Sequence, residues 1–447
     1  MTTHSRMKNS RLPLVGTIAL AGVLTLAACG GGGSTATATA DKGSGKGTIQ
    51  VWGHQGQPGE VTSLQASVAD FNALQKDVVV NLKLIPEADY TKTVQATSKD
   101  KLPDVVEYDG PLLSSFVYDK KMTPIEGLVS NATVSNQTDS VKAQDTYTSD
   151  GKLYGVAMFD SGLGIYGNKK LLDAAGVTYP TTWQKAWTAD EFTAVLQKLA
   201  AKDADHKVLE IKENYVGEWP SHGFLPIVSS AGAEVIKDNT ASGNLDSSAV
   251  VKAVTTFASW KQYTDPNSDD KAFTDGRVAL SWVGHWAYPG YAKVIGNDLV
   301  VMPLPNFGNG TKSGQGSWAW GITANSKNGS AAGKFLDYLM SDRPVAAMTT
   351  ANAAPPGTKT ALAASDLYKS GGPLQLFADQ LAATCGTAAP TPNCVTVPRP
   401  ITPAYPVIST AFSKAFFSAY QGGNPQSLLS GAAKAIDLAY KDNNNYK

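Results

Sequence analysis

Residues 48–53 read Thr-Ile-Gln-Val-Trp-Gly, an alternation of apolar and polar side chains that stops at a glycine. Period-two alternation closed by Gly is the pattern of a strand. Behind it, Leu64, Val68, Phe71 and Leu74 step at helical spacing as far as Lys76, and Val78 to Ile85 (VVVNLKLI) alternates again before Pro86. A third apolar run, Val105-Val106, follows Leu102-Pro103-Asp104. Strand, helix, strand, helix, strand at this spacing predicts parallel pairing with crossover helices, an α/β unit.

The same grammar returns later in the chain. Thr188-Ala189-Asp190-Glu191 has the form of a capping box, and Phe192, Val195, Leu196 and Leu199 supply the apolar face of the helix behind it. Asn424-Pro425 opens a late helix with Leu428, Leu429, Ala432, Ile436 and Tyr440 on one face. Between them, residues 390–406 hold six prolines and read as extended or turn-rich. With 447 residues and 42% hydrophobic content, the chain is too long for one compact core. Two α/β lobes with a helical C-terminus are expected.

Lys+Arg and Asp+Glu are both 38, so there is no basic excess for binding nucleic acid. That balance belongs to a precursor. Residues 1–28 contain Arg6, Lys8 and Arg11 and no acid, and without them the chain carries 35 basic against 38 acidic side chains. The basic residues precede a 15-residue apolar run, Leu12 to Leu26, too short for a membrane span and suited to a signal peptide. It ends in Leu26-Ala27-Ala28-Cys29 before GGGGSTATATA, which looks like a lipobox and its tether. A signal peptide over 1–28, a lipid on Cys29, a flexible tether over 29–47 and an exported body held at the outer face of the cytoplasmic membrane are therefore expected. Cys385 and Cys394 remain as an even pair in an oxidising compartment, and a disulfide is expected. It would close a loop of ten residues, with a chain-entropy gain of about 2.5–3 kcal/mol.

Catalytic patterns are scarce. The chain has no G-x-S-x-G, no H-E-x-x-H and no GxxxxGK[ST]. Gly162-Leu163-Gly164-Ile165-Tyr166-Gly167 fits G-x-G-x-x-G, but Ile165-Tyr166 reads as strand where a dinucleotide loop needs a helix. His54, His206, His222 and His285 lack metal-ligand spacing. No cofactor and no metal are expected.

Six segments together resemble the family 1 solute-binding proteins of carbohydrate ABC importers, the group that includes maltose- and trehalose-binding proteins. They are Ile49–Gly53, Pro103–Phe116, Gly151–Gly176, Pro180–Leu199, Phe273–Trp286 (FTDGRVALSWVGHW) and Gly316–Ala324. The resemblance implies a periplasmic-binding-protein-like fold: two α/β lobes joined by hinge strands, with ligand in the cleft between them. It places the crossings near 158–162, 300–303 and 355–361, so that 48–158 with 303–357 form one lobe and 159–302 with 358–447 the other. It also implies a monomer that hands a mono- or oligosaccharide to a permease and performs no catalysis.

Sugars present polar edges and apolar ring faces, so aromatic platforms and carboxylate, amide or guanidinium partners are the residues to seek. Asp109, after the apolar strand end Val105–Tyr108, matches the acid by which the family holds sugar hydroxyls. Trp286 matches its Gly-x-Trp platform, and His285 beside it is a specificity contact or an exposed imidazole. Trp318 and Trp320 alternate on one strand face, so one or both would meet the cleft. Gln55, with His54, follows the first strand, where ligands meet open α/β sheets. Asp160 lies at the first crossing, and Trp219 with Glu218 in the loop NYVGEWPSHG. Arg399 and Tyr405 come from the proline-rich segment. Trp183, Trp187 and Trp260 read as core. A polyol, glycerol phosphodiester or sugar-acid receptor, a secreted carbohydrate-active enzyme and an adhesion protein are the rival readings.

Overall fold

The computed structural model describes residues 37–267, 269–386 and 388–447. The expected leader and Cys29 lie outside them. Among the described residues no helix is long and apolar enough to cross a membrane.

In chain order the elements that position the site are β1 (Gly47–Gln55), α1 (Pro58–Leu74), β2 (Val78–Pro86), α2 (Glu87–Ala96), β3 (Val105–Asp109), β4 (Gly155–Val156), β5 (Leu163–Asn168) and α3 (Lys169–Ala174). They continue with α4 (Ala189–Ala200), β6 (Leu209–Glu210), α5 (Trp219–Ser230), β7 (Leu280–Gly284), β8 (Leu299–Met302), β9 (Ser313–Gln315) and β10 (Trp318–Ile322). Last come α6 (Gly329–Leu339), α7 (Asp342–Asn352), β11 (Thr396–Pro398), α8 (Tyr405–Tyr420) and α9 (Pro425–Asp442).

These elements make two lobes. One sheet has the order β2-β1-β3-β10-β4 and the other β8-β5-β7-β6. β1 runs parallel to β2 and β3, as crossover helices require, while β10 is antiparallel to β3 and β4. The sequence pattern recovered the parallel part and not the antiparallel return. β1 also runs through Gly53 to Gln55 instead of stopping there, because its ladder with β2 continues as far as Gln55 opposite Pro86; glycine at 53 leaves room for Trp320 and Leu64, which a Cβ would approach to 3.1 Å and 3.3 Å.

Each lobe buries its own apolar interior. Val51, Leu64, Phe71, Val105, Trp320 and Phe335 pack in the first, and Leu163, Phe192, Phe224, Trp260, Trp282 and Phe416 in the second. The Thr188 hydroxyl accepts the Glu191 N–H at 3.2 Å while the Glu191 carboxylate accepts the Thr188 N–H at 2.8 Å, capping α4 reciprocally. Trp187 and Trp260 are buried, whereas Trp183 is only half-buried in a short turn outside the core.

The chain leaves the first sheet after Val156 and enters the second at Leu163. A later crossing lies beside this one: the Gly357 N–H reaches Met158 O at 2.9 Å and the Asp160 N–H reaches Pro355 O at 2.8 Å. A Cβ on Gly357 would lie 2.5 Å from Ala157 O, so only glycine permits that approach. Residues 300–303 are not a crossing. β8 pairs with β5 inside the second sheet and Leu304 stays in the second core, so the return is made at 313–317, through β9 and into β10.

Residues 41–47, which the sequence assigns to the tether, are instead held against the first lobe or enter β1. The Asp41 N–H donates to Ser326 O, and the carbonyls of Asp41 and Lys42 accept the first N–H groups of α6 at 2.8 and 2.9 Å. Those orphan donors at a helix start hold the segment against the lobe. In the proline-rich stretch, Cys385 and Cys394 are bonded to each other.

Candidate functional site

Three parallel strands end at one edge of the first sheet, where β1 and β2 are in register at Gln55 and Pro86. Gln55, Glu87 and Asp109 therefore arrive together. The antiparallel β10 starts at the same edge, with Trp318 opposite Asp109. From the second lobe, β7 ends at Gly284 opposite Leu163 and delivers His285 and Trp286, while Trp219 opens α5. Arg399 follows β11, which lies parallel to β9.

These side chains line one cavity of about 330 Å³ between the lobes. Gln55, Asp109, Trp219, His285, Trp286, Trp318 and Arg399 are all on its wall. A larger groove shares His222 and Arg399 with it and is otherwise lined by residues such as Tyr147, Glu234, Pro398 and Tyr440.

Three expected residues are not on the cavity wall. Trp320 shares the face of Trp318 but sits deeper, against Gly53 in the first core; alternation gives the face of a strand and not the depth along it. Asp160 is buried and occupied by protein donors, the Ser140 hydroxyl at 2.6 Å and the N–H groups of Ser161 at 2.7 Å and Gly316 at 3.2 Å. It ties the two crossings at 159–161 and 313–317. Tyr405 is fully buried behind the wall, where its hydroxyl donates to Glu218 and stands 3.5 Å from Arg399 Nη1. Trp219 is not in a loop but at the first turn of a helix, with Pro220 behind it. His285 is no exposed imidazole, since its Nδ1 meets Asn352 O at 3.1 Å inside the protein.

The reading of the sequence missed Glu60, Glu87, Phe159, Tyr215 and His222, all on the wall. The rule that selected Gln55 and Asp109, residues just past strand ends, also selects Glu87 after Pro86. The others carry no comparable signal.

Aromatic rings face the cavity from both lobes. Trp318 is stacked on His54 at 4.1 Å and 5°. Trp219 and Trp286 meet edge to face at 5.8 Å and 88°. Between them the polar groups are buried and incompletely satisfied. Arg399 bridges the lobes, Nη2 to Asp109 Oδ1 at 3.2 Å and Nη1 to Glu218 Oε2 at 3.0 Å. Asp109 Oδ2, Glu87 Oε2, Trp219 Nε1, His222 Nδ1 and Arg399 Nε have no partner. Buried polar atoms are nearly always paired, and these five belong to residues of one cavity wall, where a polar ligand can reach them.

Burial pushes the Glu87 carboxyl up to about 7, helped by Asp109, Glu107 and Glu218 and opposed by His54. It raises Asp109 too, against the pull of Arg399, and lifts Glu107 to about 8. The same loss of solvent lowers His54 and His222 and brings His285 to about 4, so the imidazoles are neutral. His54, Glu87 and Asp109 each bring one ligand atom within 4.8 Å of the others.

The sequence model for bacterial extracellular solute-binding proteins matches residues 56–346. A "Multiple sugar-binding protein" of Streptococcus mutans is 24% identical over 366 residues, 74% of this chain and 79% of that protein. Among solved structures, the GacH receptor of Streptomyces glaucescens, determined unliganded and with acarbose, superposes with a TM-score of 0.71 at 20% identity, covering 89% of this chain and 98% of the other. A substrate-binding protein of Listeria monocytogenes in complex with cycloalternan gives 0.72 at 18% identity, covering 89% and 99%.

Proposed function

We propose, from the premise that this chain belongs to the bacterial extracellular solute-binding protein family, a family of binding proteins and not of enzymes, that its solute is a small saccharide held between the lobes. The observation that carries this reading is the set of orphaned buried donors and acceptors standing between tryptophan faces. Saccharide rings stack on indole and their hydroxyls both donate and accept, which answers Asp109 Oδ2 and Trp219 Nε1 alike. The named sugar-binding relatives support the same class of ligand.

An anionic solute such as a sugar acid or phosphodiester is disfavoured. The wall carries Glu60, Glu87, Asp109 and Glu218 against one guanidinium, which is already engaged by two of them. Delivery to an ABC permease, and retention at the membrane by a lipid on Cys29, complete the proposal.

Ligand bound at 100 times its Kd should raise stability by about 2.7 kcal/mol. A thermal-shift and calorimetric screen of mono- and disaccharides is the test. A response confined to amino acids, peptides or metal ions overturns the assignment.

A further inference from the structure

The cavity does not end the space between the lobes. A groove of about 620 Å³, almost twice the cavity's volume of about 330 Å³, adjoins it at His222 and Arg399, which line both. Tyr147 stands on its first-lobe bank, and Leu225 and Tyr440 stand on the second. Three buried polar atoms on its lining residues have no partner: Ser114 Oγ, His222 Nδ1 and Arg399 Nε. The residues that carry them are 1%, 7% and 5% exposed. Gly314 lines the groove as well, and a Cβ there would stand 2.9 Å from His222 Nδ1, so glycine on β9 keeps that nitrogen uncovered.

We propose that the saccharide in the cavity is one end of a longer chain whose further rings lie in this groove, making the solute a neutral oligosaccharide, an assignment that rests on the saccharide reading of the cavity. Arg399 Nε donates, and Ser114 Oγ donates or accepts. His222 Nε2 is engaged with Ser161 Oγ at 3.2 Å, and Nδ1 donates or accepts according to the tautomer. A saccharide hydroxyl answers all three in either sense. Ring faces find Tyr147 on one bank and, on the other, Tyr440 and Tyr446, which meet edge to face at 5.4 Å and 86°. The charge suits an uncharged chain, because Glu234 and Asp238 line the groove while the Arg399 guanidinium is already engaged by Asp109 and Glu218. Pockets that enclose small ligands span about 300–1,000 Å³, and the cavity alone lies at the foot of that range. Rings joined to one already held bind intramolecularly, so contacts in the groove add affinity without a second cost of association. A disaccharide therefore binds in the cavity, and a longer chain binds tighter.

The test uses the full chain and calorimetry with gluco-, galacto-, xylo- and fructo-oligosaccharides, each from one ring to five. In a series that binds, the tetrasaccharide should bind at least about tenfold tighter than the disaccharide. In Tyr147→Ala and in Tyr446→Ala, both at half-buried positions, that ratio should fall toward one; circular dichroism checks that each variant is folded. Equal affinity for disaccharide and tetrasaccharide in every series that binds overturns the groove assignment and leaves the saccharide reading in place. A length gain that survives in both variants puts the added rings elsewhere and overturns the assignment too. Binding of no saccharide of any length overturns both readings.

Discussion

Two clusters of charged side chains with buried centres are built from similar residues and end in opposite states. In the second lobe, Lys212 Nζ lies 2.8 Å from Glu210 Oε2 and also donates to Asp270. Glu210 accepts hydroxyls from Ser281 at 2.8 Å and Tyr291 at 3.0 Å, and Asp270 accepts one from Tyr215 at 3.2 Å. At the cavity, Glu87, Asp109 and His54 keep orphaned atoms. Desolvation costs both groups; the Lys212 group offsets it with partners on every member, the cavity group only through Arg399 on Asp109. The first cluster has the partners of a scaffold, and the second keeps the free polar atoms that the proposed ligand would meet.

Mutation should separate the two. Lys212→Met removes the only cation of a buried group and leaves Glu210 uncompensated, so it should lower unfolding free energy by about 3–5 kcal/mol, read from urea denaturation. A loss below 1 kcal/mol would mean that the satisfied cluster does not carry stability. Trp318→Ala removes the indole stacked over His54 and should weaken saccharide affinity by about 2 kcal/mol, some thirtyfold. Calorimetry checks it, and undiminished affinity would remove Trp318 from the binding wall. Asp109→Asn keeps shape and leaves Arg399 paired with Glu218. It should cost about 1–2 kcal/mol of affinity and less stability without ligand than Lys212→Met, because Arg399 keeps Glu218 and the amide oxygen still accepts. A stability loss as large as that of Lys212→Met would make Asp109 scaffold as well.

The scaffold was more legible than the site, and the reason is periodic order. β1, α1, β2 and β3 announce themselves by alternation and by three-four spacing, and Thr188 with Glu191 by the capping box. Long-range partners leave no such trace. β10 pairs with β3 across two hundred residues of chain, so the antiparallel half of the sheet and the return at 313–317 were not in the local pattern. At the site, position past a strand end found Gln55 and Asp109, and the same rule applied to β2 finds Glu87. Depth was invisible: Trp318 and Trp320 share a strand face, and long-range packing makes only Trp320 core. Prior occupation was invisible too, since nothing in the sequence says that Ser140, Ser161 and Gly316 have already filled Asp160.

The smallest effect is the pH dependence of the ligand-free protein. A carboxyl whose folded pKa lies above its unfolded value binds more protons when folded, so its stabilising contribution is complete below the unfolded pKa and is lost as pH rises through the folded one. Glu107, raised to about 8, and Glu87, raised to about 7, act in this sense. The buried histidines act oppositely: His54, His222 and His285 are lowered, and their opposition is confined to pH below their ordinary value of 6.5. From pH 6.5 to 8 the carboxyls are therefore unopposed by those imidazoles, and stability should fall with rising pH. Glu107→Gln retains an acceptor for the His54 N–H and removes one titrating group. It should flatten the decline by on the order of 1 kcal/mol across that window, measured as urea midpoints at half-unit intervals. If wild type and variant run parallel, Glu107 is ionised in the folded protein throughout, and the carboxyl beside His54 is charged at neutral pH.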